Sequence, residues 1–390
     1  MFEGALSDEE RLLRDTVREF AARELAPGAA ERDDQERYDR RLFAALAQLG
    51  LTGAPFPESI GGGGLSYRAW TLVMEELGAV DMAMAVSLSV HVLAQSPLAR
   101  WGTAEQHERW LAPMLRGERM GAFALTEPEA GSDAAAIRLH ATRLGPADTP
   151  RGYRLEGTKI WISNAPEADH YLVFATLDPA AGPAAISAFL VAKGTPGFVF
   201  GRKERKLGIR ANPASELIFR GAEVPTAQRL GREGEGYRIA LSSLGEGRIS
   251  IAAACTGLAR AALEAAARYC AERRSFGGPL TALQGVRFML AEMSQRVAAA
   301  RALTRAAAEA KDRGEPIAEA SSLAKWTASD AAMSVASDAV QLFGAAGYSR
   351  ENPVERYLRD AKGAQIYEGT NQVHRLIVAE QLLRGLGLGG

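Results

Sequence analysis

The sequence predicts an α+β chain in three parts: an N-terminal α-helical domain over residues 1–120, a middle antiparallel β domain over 121–228, and a C-terminal four-helix-bundle domain over 229–390. Three changes of texture predict it. Apolar residues recur at helical spacing as far as about Met120, short runs rich in aromatic and β-branched residues follow up to Pro225, and long Ala-rich segments take over from about Gly231. At 390 residues the chain also exceeds one ordinary core.

Ser7 followed by Glu10 is a capping-box pattern ahead of Leu13, Val17 and Phe20, and Pro27 ends that first helix. Asp8, Glu9 and Glu10 stand where a targeting peptide would be basic and then apolar, so a cytoplasmic protein is expected. The uncharged run from Met82 to Ala99 tempts a membrane-spanning assignment. Ser87, Ser89, His91, Gln95, Ser96 and Pro97 interrupt it, and it reads as a buried helix with no membrane insertion. Gly61–Gly64 lacks the following Lys and Ser/Thr of a phosphate loop and reads as a connection between helices.

In the middle part Tyr171–Thr176, Ile186–Val191, Phe198–Phe200 and Leu217–Phe219 read as strands. Gly145-Pro146, Gly182-Pro183 and Gly194–Gly197 read as turns. Connections this short favour antiparallel pairing. Beyond them Ile249–Arg273, Leu283–Arg313 and Ala318–Phe343 read as long helices, with Gly314 as a C-cap, and Ala at this density lets helices approach closely as a bundle.

Charge and composition narrow the function. Lys plus Arg (46) nearly balances Asp plus Glu (47), which leaves no basic footprint for nucleic acid or an anionic membrane and favours a small-molecule role. Cys255 and Cys270 form no C-x-x-C pair and fit a reducing compartment. His91, His107, His140, His170 and His374 show no metal-ligand spacing, so no metal is expected and each reads as a surface or satisfied core residue.

Two helix breaks carry chemistry. Arg273–Gly278 and Gln341–Gly347 combine guanidinium or amide groups with glycines, as a diphosphate requires for charge-assisted hydrogen bonds and close backbone approach. A third stretch, Gln365–Gln372, sets Glu368 between Tyr367 and Gly369 with Thr370 and Gln372 just beyond, which makes Glu368 a candidate base.

Taken together, these pieces resemble the acyl-CoA dehydrogenase family. The segment Phe123–Asp133 (FALTEPEAGSD) resembles one family signature and Gly157–Asn164 (GTKIWISN) another. The Arg273–Gly277 break with Gln284, the Gln341–Gly347 turn and the Tyr367–Gln372 stretch complete the set in family order over nearly the whole chain. The resemblance implies FAD as cofactor. Phe123, Leu125, Thr126, Gly131, Ser132, Trp161, Ile162 and Ser163 would line its ring system, and Thr370 and Gln372 would close on it. Arg273, Phe276, Gln284, Gln341, Gly344 and Ala345 would hold the diphosphate and adenosine of a neighbouring subunit in a homotetramer, a dimer of dimers. Ser132, Gly245, Arg248, Tyr367 and Gly369 match the family's acyl-CoA contacts, and Glu368 matches its base.

The implied reaction is α,β-dehydrogenation of an acyl-CoA to the trans-2-enoyl-CoA, with electrons passing to electron-transferring flavoprotein. No nicotinamide fingerprint is present, so NAD is not expected as direct acceptor. Some relatives carry the base on the first C-terminal-domain helix, just before the residue matching Arg248. That position is Gly247 here, and Glu246 lies about a quarter turn away. Ala345 and Ala346 replace frequent glycines, and Asn212 and Ala214 stand where Ser and Thr are common. Alternative readings are an acyl-CoA oxidase that uses dioxygen and a non-catalytic acyl-CoA-binding flavoprotein. Chain length and pathway are not read from these motifs.

Overall fold

The computed structural model describes residues 5–146 and 148–388. The ends of the expected first and last domains, residues 1–4 and 389–390, lie outside them.

The first part is helical: α1 (Asp8–Phe20), α2 (Ala29–Asp34), α3 (Arg40–Gln48), α4 (Tyr67–Val80), α5 (Met82–Trp101), α6 (Ala104–Gln106) and α7 (Ala112–Leu115). Ser7 caps α1 through the expected reciprocal bonds with Glu10. Of the described helices, α5 and the helix Gly236–Glu272 are long and apolar enough to cross a bilayer. Both are enclosed by the fold, with 89% and 83% of their most apolar windows buried.

Eight strands follow: β1 (Gly121–Ala124), β2 (His140–Leu144), β3 (Gly152–Ser163), β4 (His170–Thr176), β5 (Ile186–Ala192), β6 (Phe198–Lys203), β7 (Ala214–Pro225) and β8 (Arg229–Leu230). The sheet order is β6-β7-β3-β2-β4-β5-β8, with β1 also paired to β4. The expected antiparallel sheet needs one correction, because β1 and the first residue of β2, His140, pair parallel with β4. No crossover helix is needed, since β2 and β3 lie between β1 and β4 in the chain and supply the return.

In β4, Leu172 and Phe174 face the helical core while Tyr171, Val173 and Ala175 face a second core that includes Phe189 and Phe198. Burial of both faces explains why the run carries no polar alternation.

The helices return as α8 (Gly236–Glu272), α9 (Gln284–Asp312), α10 (Ala318–Phe343), α11 (Val354–Ala364) and α12 (Asn371–Gly385). A two-residue hairpin, β9 (Arg274–Ser275) with β10 (Gly278–Pro279), links α8 to α9. The second and third helices match the sequence reading closely. Helix α8 starts at Gly236 rather than Ile249: Gly245 and Gly247 weaken helix propensity, but continuous burial of Gly245 through Arg260 overrides it.

About 55 Å long, α8 is the axis on which α4, α5, α9 and α10 pack. It crosses α4 at paired glycines. A Cβ on Gly257 would stand 1.9 Å from the Glu75 carbonyl oxygen, and one on Gly78 2.3 Å from that of Ala254. A buried ion network fastens the same crossing: Arg301 and Arg260 engage Glu75 at 2.7 and 3.3 Å, and Arg260 and Arg18 engage Glu76 at 2.7 and 2.9 Å. Gly257→Ala is therefore expected to cost about 3 kcal/mol of stability through forced separation of α4 and α8. Urea unfolding beside Gly285→Ala, which meets nothing within 4 Å, checks this; equal stability of the two variants would refute it.

Candidate active site

Between α11 and α12 the chain turns through Tyr367, Glu368 and Gly369, and the turn is strained. Glu368 has φ +58° and Gly369 φ +91°, two left-handed residues in succession. Gly369 tolerates this without a Cβ, whereas Glu368 must be held there by its surroundings. Thr370 caps α12 through Val373 N–H at 3.3 Å and fixes the exit of the turn.

The turn places the Glu368 carboxyl against the bare face of Gly247 on α8. A Cβ at residue 247 would fall 2.9 Å from Oε2 and 3.0 Å from Oε1. Oε2 is enclosed and has no hydrogen-bond partner, and no partner for the Glu368 backbone N–H is found among the described residues. Burial pushes Glu368 up to about 7, while the positive charges of Arg248 and Lys325 pull the other way. Arg248 is itself 9% exposed with Nε unpartnered, and burial works against its charge.

Glu246 is held elsewhere. Its carboxylate accepts a short hydrogen bond from Ser96 on α5 and pairs with Arg100 and, at 2.5 Å, with Lys311. It stitches α5 and α9 to α8 and does not reach the turn.

A second group of predicted residues lies on the sheet. Lys159, fully buried, donates from Nζ to the Leu125 carbonyl at 2.9 Å and to Glu127 Oε1 at 2.7 Å, and Ile160 N–H donates to the Thr126 carbonyl at 2.9 Å. These bonds join the segment after β1 to the end of β3. There the pairing with β7 slips between Lys159 and Ile162, and Trp161 takes φ +58°. The bulge turns the indole outward, 52% exposed, while Ile162 points into the core and Ser163 is half-buried. Phe123 packs on Phe174 beneath this shelf, and Gly131 and Ser132 are exposed at its edge.

Both groups are fastened to one helix. Asn164 exchanges hydrogen bonds with Ser87 of α5 at 2.9 Å, and Ser96 of α5 bonds Glu246, the neighbour of Gly247. Nine residues of helix separate the two anchors, about 14 Å. Asn212 joins this network by donating to Asn164 Oδ1 at 3.2 Å, which accounts for its departure from Ser or Thr as a packing feature.

A third group stands apart. Arg273 is about 38 Å along α8 from Arg248. Phe276, φ +52°, projects 89% exposed from the β9–β10 turn, and Gln284, Gln341, Gly344 and Ala345 are exposed as well. Stacking of Tyr269 on Phe343, with centroids 4.1 Å apart, brings the α8 and α10 ends of this group together. Among the described residues, no hydrogen bond, ion pair or ring contact joins it to Trp161 or Glu368. Gln372 is likewise exposed, while Gly245 is buried against Ile317.

Two residues behave unlike the sequence reading. His374, expected as a surface or satisfied core residue, is fully buried with both ring nitrogens unpartnered beneath Gly369, and burial holds it down to about 3. Lys325, not singled out, lies under the same turn. A lone cation on the otherwise small and apolar buried stripe of α10 was the available signal.

The chain is thus a helix–sheet–helix protein in which the group around Glu368 and the group around Trp161 are both tied to α5. Three family models match it in order: acyl-CoA dehydrogenase N-terminal domain over residues 7–118, middle domain over 122–222 and C-terminal domain over 234–383. A short-chain-specific acyl-CoA dehydrogenase of Megasphaera elsdenii is 44% identical over 373 residues, covering 94% of this chain and 96% of its own. The solved butyryl-CoA dehydrogenase of Megasphaera elsdenii aligns with TM-score 0.94 and 42% identity over 98% of this chain and 100% of its own. A chain solved in work on the electron-transferring flavoprotein of Acidaminococcus fermentans and flavin-based electron bifurcation aligns with TM-score 0.95 and 44% identity over the same shares. The chain belongs to the acyl-CoA dehydrogenase family, whose members are flavoproteins, and is an oxidoreductase.

Proposed function

We propose that the protein is a FAD-dependent short-chain acyl-CoA dehydrogenase in which Glu368 removes the α proton. The observation that carries this reading is the Glu368 carboxyl itself, with Oε2 enclosed and unpartnered and both oxygens pressed against Gly247. A proton α to a thioester is weakly acidic, and a base matched to it needs a pKa near the operating pH, which burial of Glu368 supplies. The free Glu368 N–H is a donor suited to the thioester oxygen, where negative charge grows as the proton leaves. One residue would thus serve twice, through side chain and backbone.

The residues present suit a bound flavin. Trp161 offers an exposed flat face, Thr126 and Ser163 are half-buried on the two segments that meet next to it, and Gly131 leaves open space over its Cα. When bound, FAD accepts a hydride equivalent from the β carbon. Arg273, Phe276, Gln284, Gln341, Gly344 and Ala345 would hold the diphosphate and adenosine of a second copy, because about 38 Å of helix separates Arg273 from the base of its own chain. That division calls for at least two copies, a condition the expected homotetramer meets. Leu376, Leu382, Leu383 and Leu386, exposed on α12, give further apolar surface for assembly. Electron-transferring flavoprotein is the proposed acceptor, supported by the likeness to a chain solved in work on such a flavoprotein.

The test is anaerobic flavin bleaching by a panel of straight-chain acyl-CoAs. Butyryl-CoA is expected to bleach fastest, with rates falling by about tenfold or more for long chains. A long-chain optimum would overturn the short-chain assignment. Rapid reoxidation in air with stoichiometric hydrogen peroxide would favour the oxidase.

A further inference from the structure

Lys325 sits on the inner face of α10 with its side chain fully buried. Its Nζ donates to the Gly369 carbonyl at 2.7 Å and to Asn371 Oδ1 at 3.2 Å, the first and third residues after Glu368. Asn371 is held in turn by Ser329 at 3.0 Å and by Asp330 at 2.8 Å. No carboxylate lies within ion-pair distance of this ammonium among the described residues. A buried, unpaired ammonium costs several kcal/mol, so packing alone gives no reason for a lysine here. Its direct bond falls on the carbonyl of the residue that follows the strained Glu368.

We propose that Lys325 is a positioning residue: its ammonium holds the Glu368–Gly369 turn in the left-handed conformation and supplies positive charge beneath the Glu368 carboxylate. This rests on the reading of Glu368 as the base. The groups facing Lys325 are Glu368 from the turn, Arg248 and Cys255 from α8, and Asp330 from α10 itself; His374 of α12 faces the same charges and stays neutral. Burial lowers Lys325 to about 8, so the ammonium persists through neutral pH. Removing it leaves Arg248 as the one cation close to Glu368, which favours the protonated, inactive carboxyl.

The test compares wild type, Lys325→Met and Lys325→Gln as FAD-loaded enzymes, by anaerobic bleaching with butyryl-CoA on both sides of neutral pH. In both variants the acid limb of the rate is expected to move up by about one pH unit, so that well below the limb each variant's rate, taken as a fraction of its own plateau, is about tenfold below that of wild type. Lys325→Gln keeps a donor for the Gly369 carbonyl, guards against loss of the fold, and should keep the higher plateau of the two. KM should change little, since the Lys325 side chain is fully buried.

A second readout is the titration, by difference infrared spectroscopy, of the carboxyl band that Glu368→Gln abolishes. It should move to higher pH in both variants. An acid limb and carboxyl titration that superimpose on wild type, with only a uniform rate loss, would overturn the proposal while leaving Glu368 as base. Wild-type enzyme that no acyl-CoA bleaches would overturn both.

Discussion

Glu368→Gln is expected to slow flavin bleaching by acyl-CoA by about three to four orders of magnitude while FAD and acyl-CoA still bind, because the amide is nearly isosteric and cannot take a proton. The same substitution should stabilise the protein. Folding raises Glu368 from the usual carboxylate range to about 7, so the native state prefers the protonated form and loses stability as pH rises from about 4.5 through 7. Glutamine escapes that loss. The variant should therefore gain about 2 kcal/mol over wild type at pH 8 and little at pH 4, read by unfolding at both values. A rate loss without the pH-dependent gain would mean that the carboxyl is not enclosed as described.

Arg273→Ala is expected to weaken FAD retention by about ten- to a hundredfold without unfolding the chain, since it deletes a charged donor to a diphosphate and touches no core. Arg273 ends α8 in an exposed position, and its deletion leaves the Tyr269–Phe343 stack intact. Flavin-to-protein ratio after gel filtration, together with mass in solution, checks this. A FAD-loaded monomer would contradict the division of the cofactor site between copies.

Elements set by local pattern are legible in the sequence. Ser7 and Glu10 announce the start of α1, and Ala318–Phe343 appears at its full length because one apolar stripe runs through it. Helix α8 extends ahead of its Ala-rich stretch to Gly236, through Gly245 and Gly247, which lower helix propensity. Their smallness instead serves packing: Gly247 makes room for the carboxyl of a residue far along the chain. Parallel pairing of β1 with β4 was likewise hidden, since register between strands separated by a hairpin is decided by tertiary packing.

Glu368 itself stood out by its company of Tyr367, Gly369 and Thr370, and more firmly through the resemblance. Its electrostatic setting did not, because Arg248, Lys325 and His374 come from three different helices. Lys325 shows the limit well. Its place on the buried stripe of α10 could be read from spacing, whereas its partners, Gly369 and Asn371, lie 44 and 46 residues later and are joined to it only by the fold.

The central claim, that Glu368 moves the α proton, is tested most directly by hydrogen washout. Butyryl-CoA deuterated at the α carbon is incubated anaerobically with FAD-loaded enzyme in ordinary water and without an electron acceptor, and label in the recovered thioester is followed by mass spectrometry. Wild type is expected to exchange the α label with solvent through its base, and Glu368→Gln to retain it over the same period. Washout in Glu368→Gln at a rate near that of wild type would contradict the assignment.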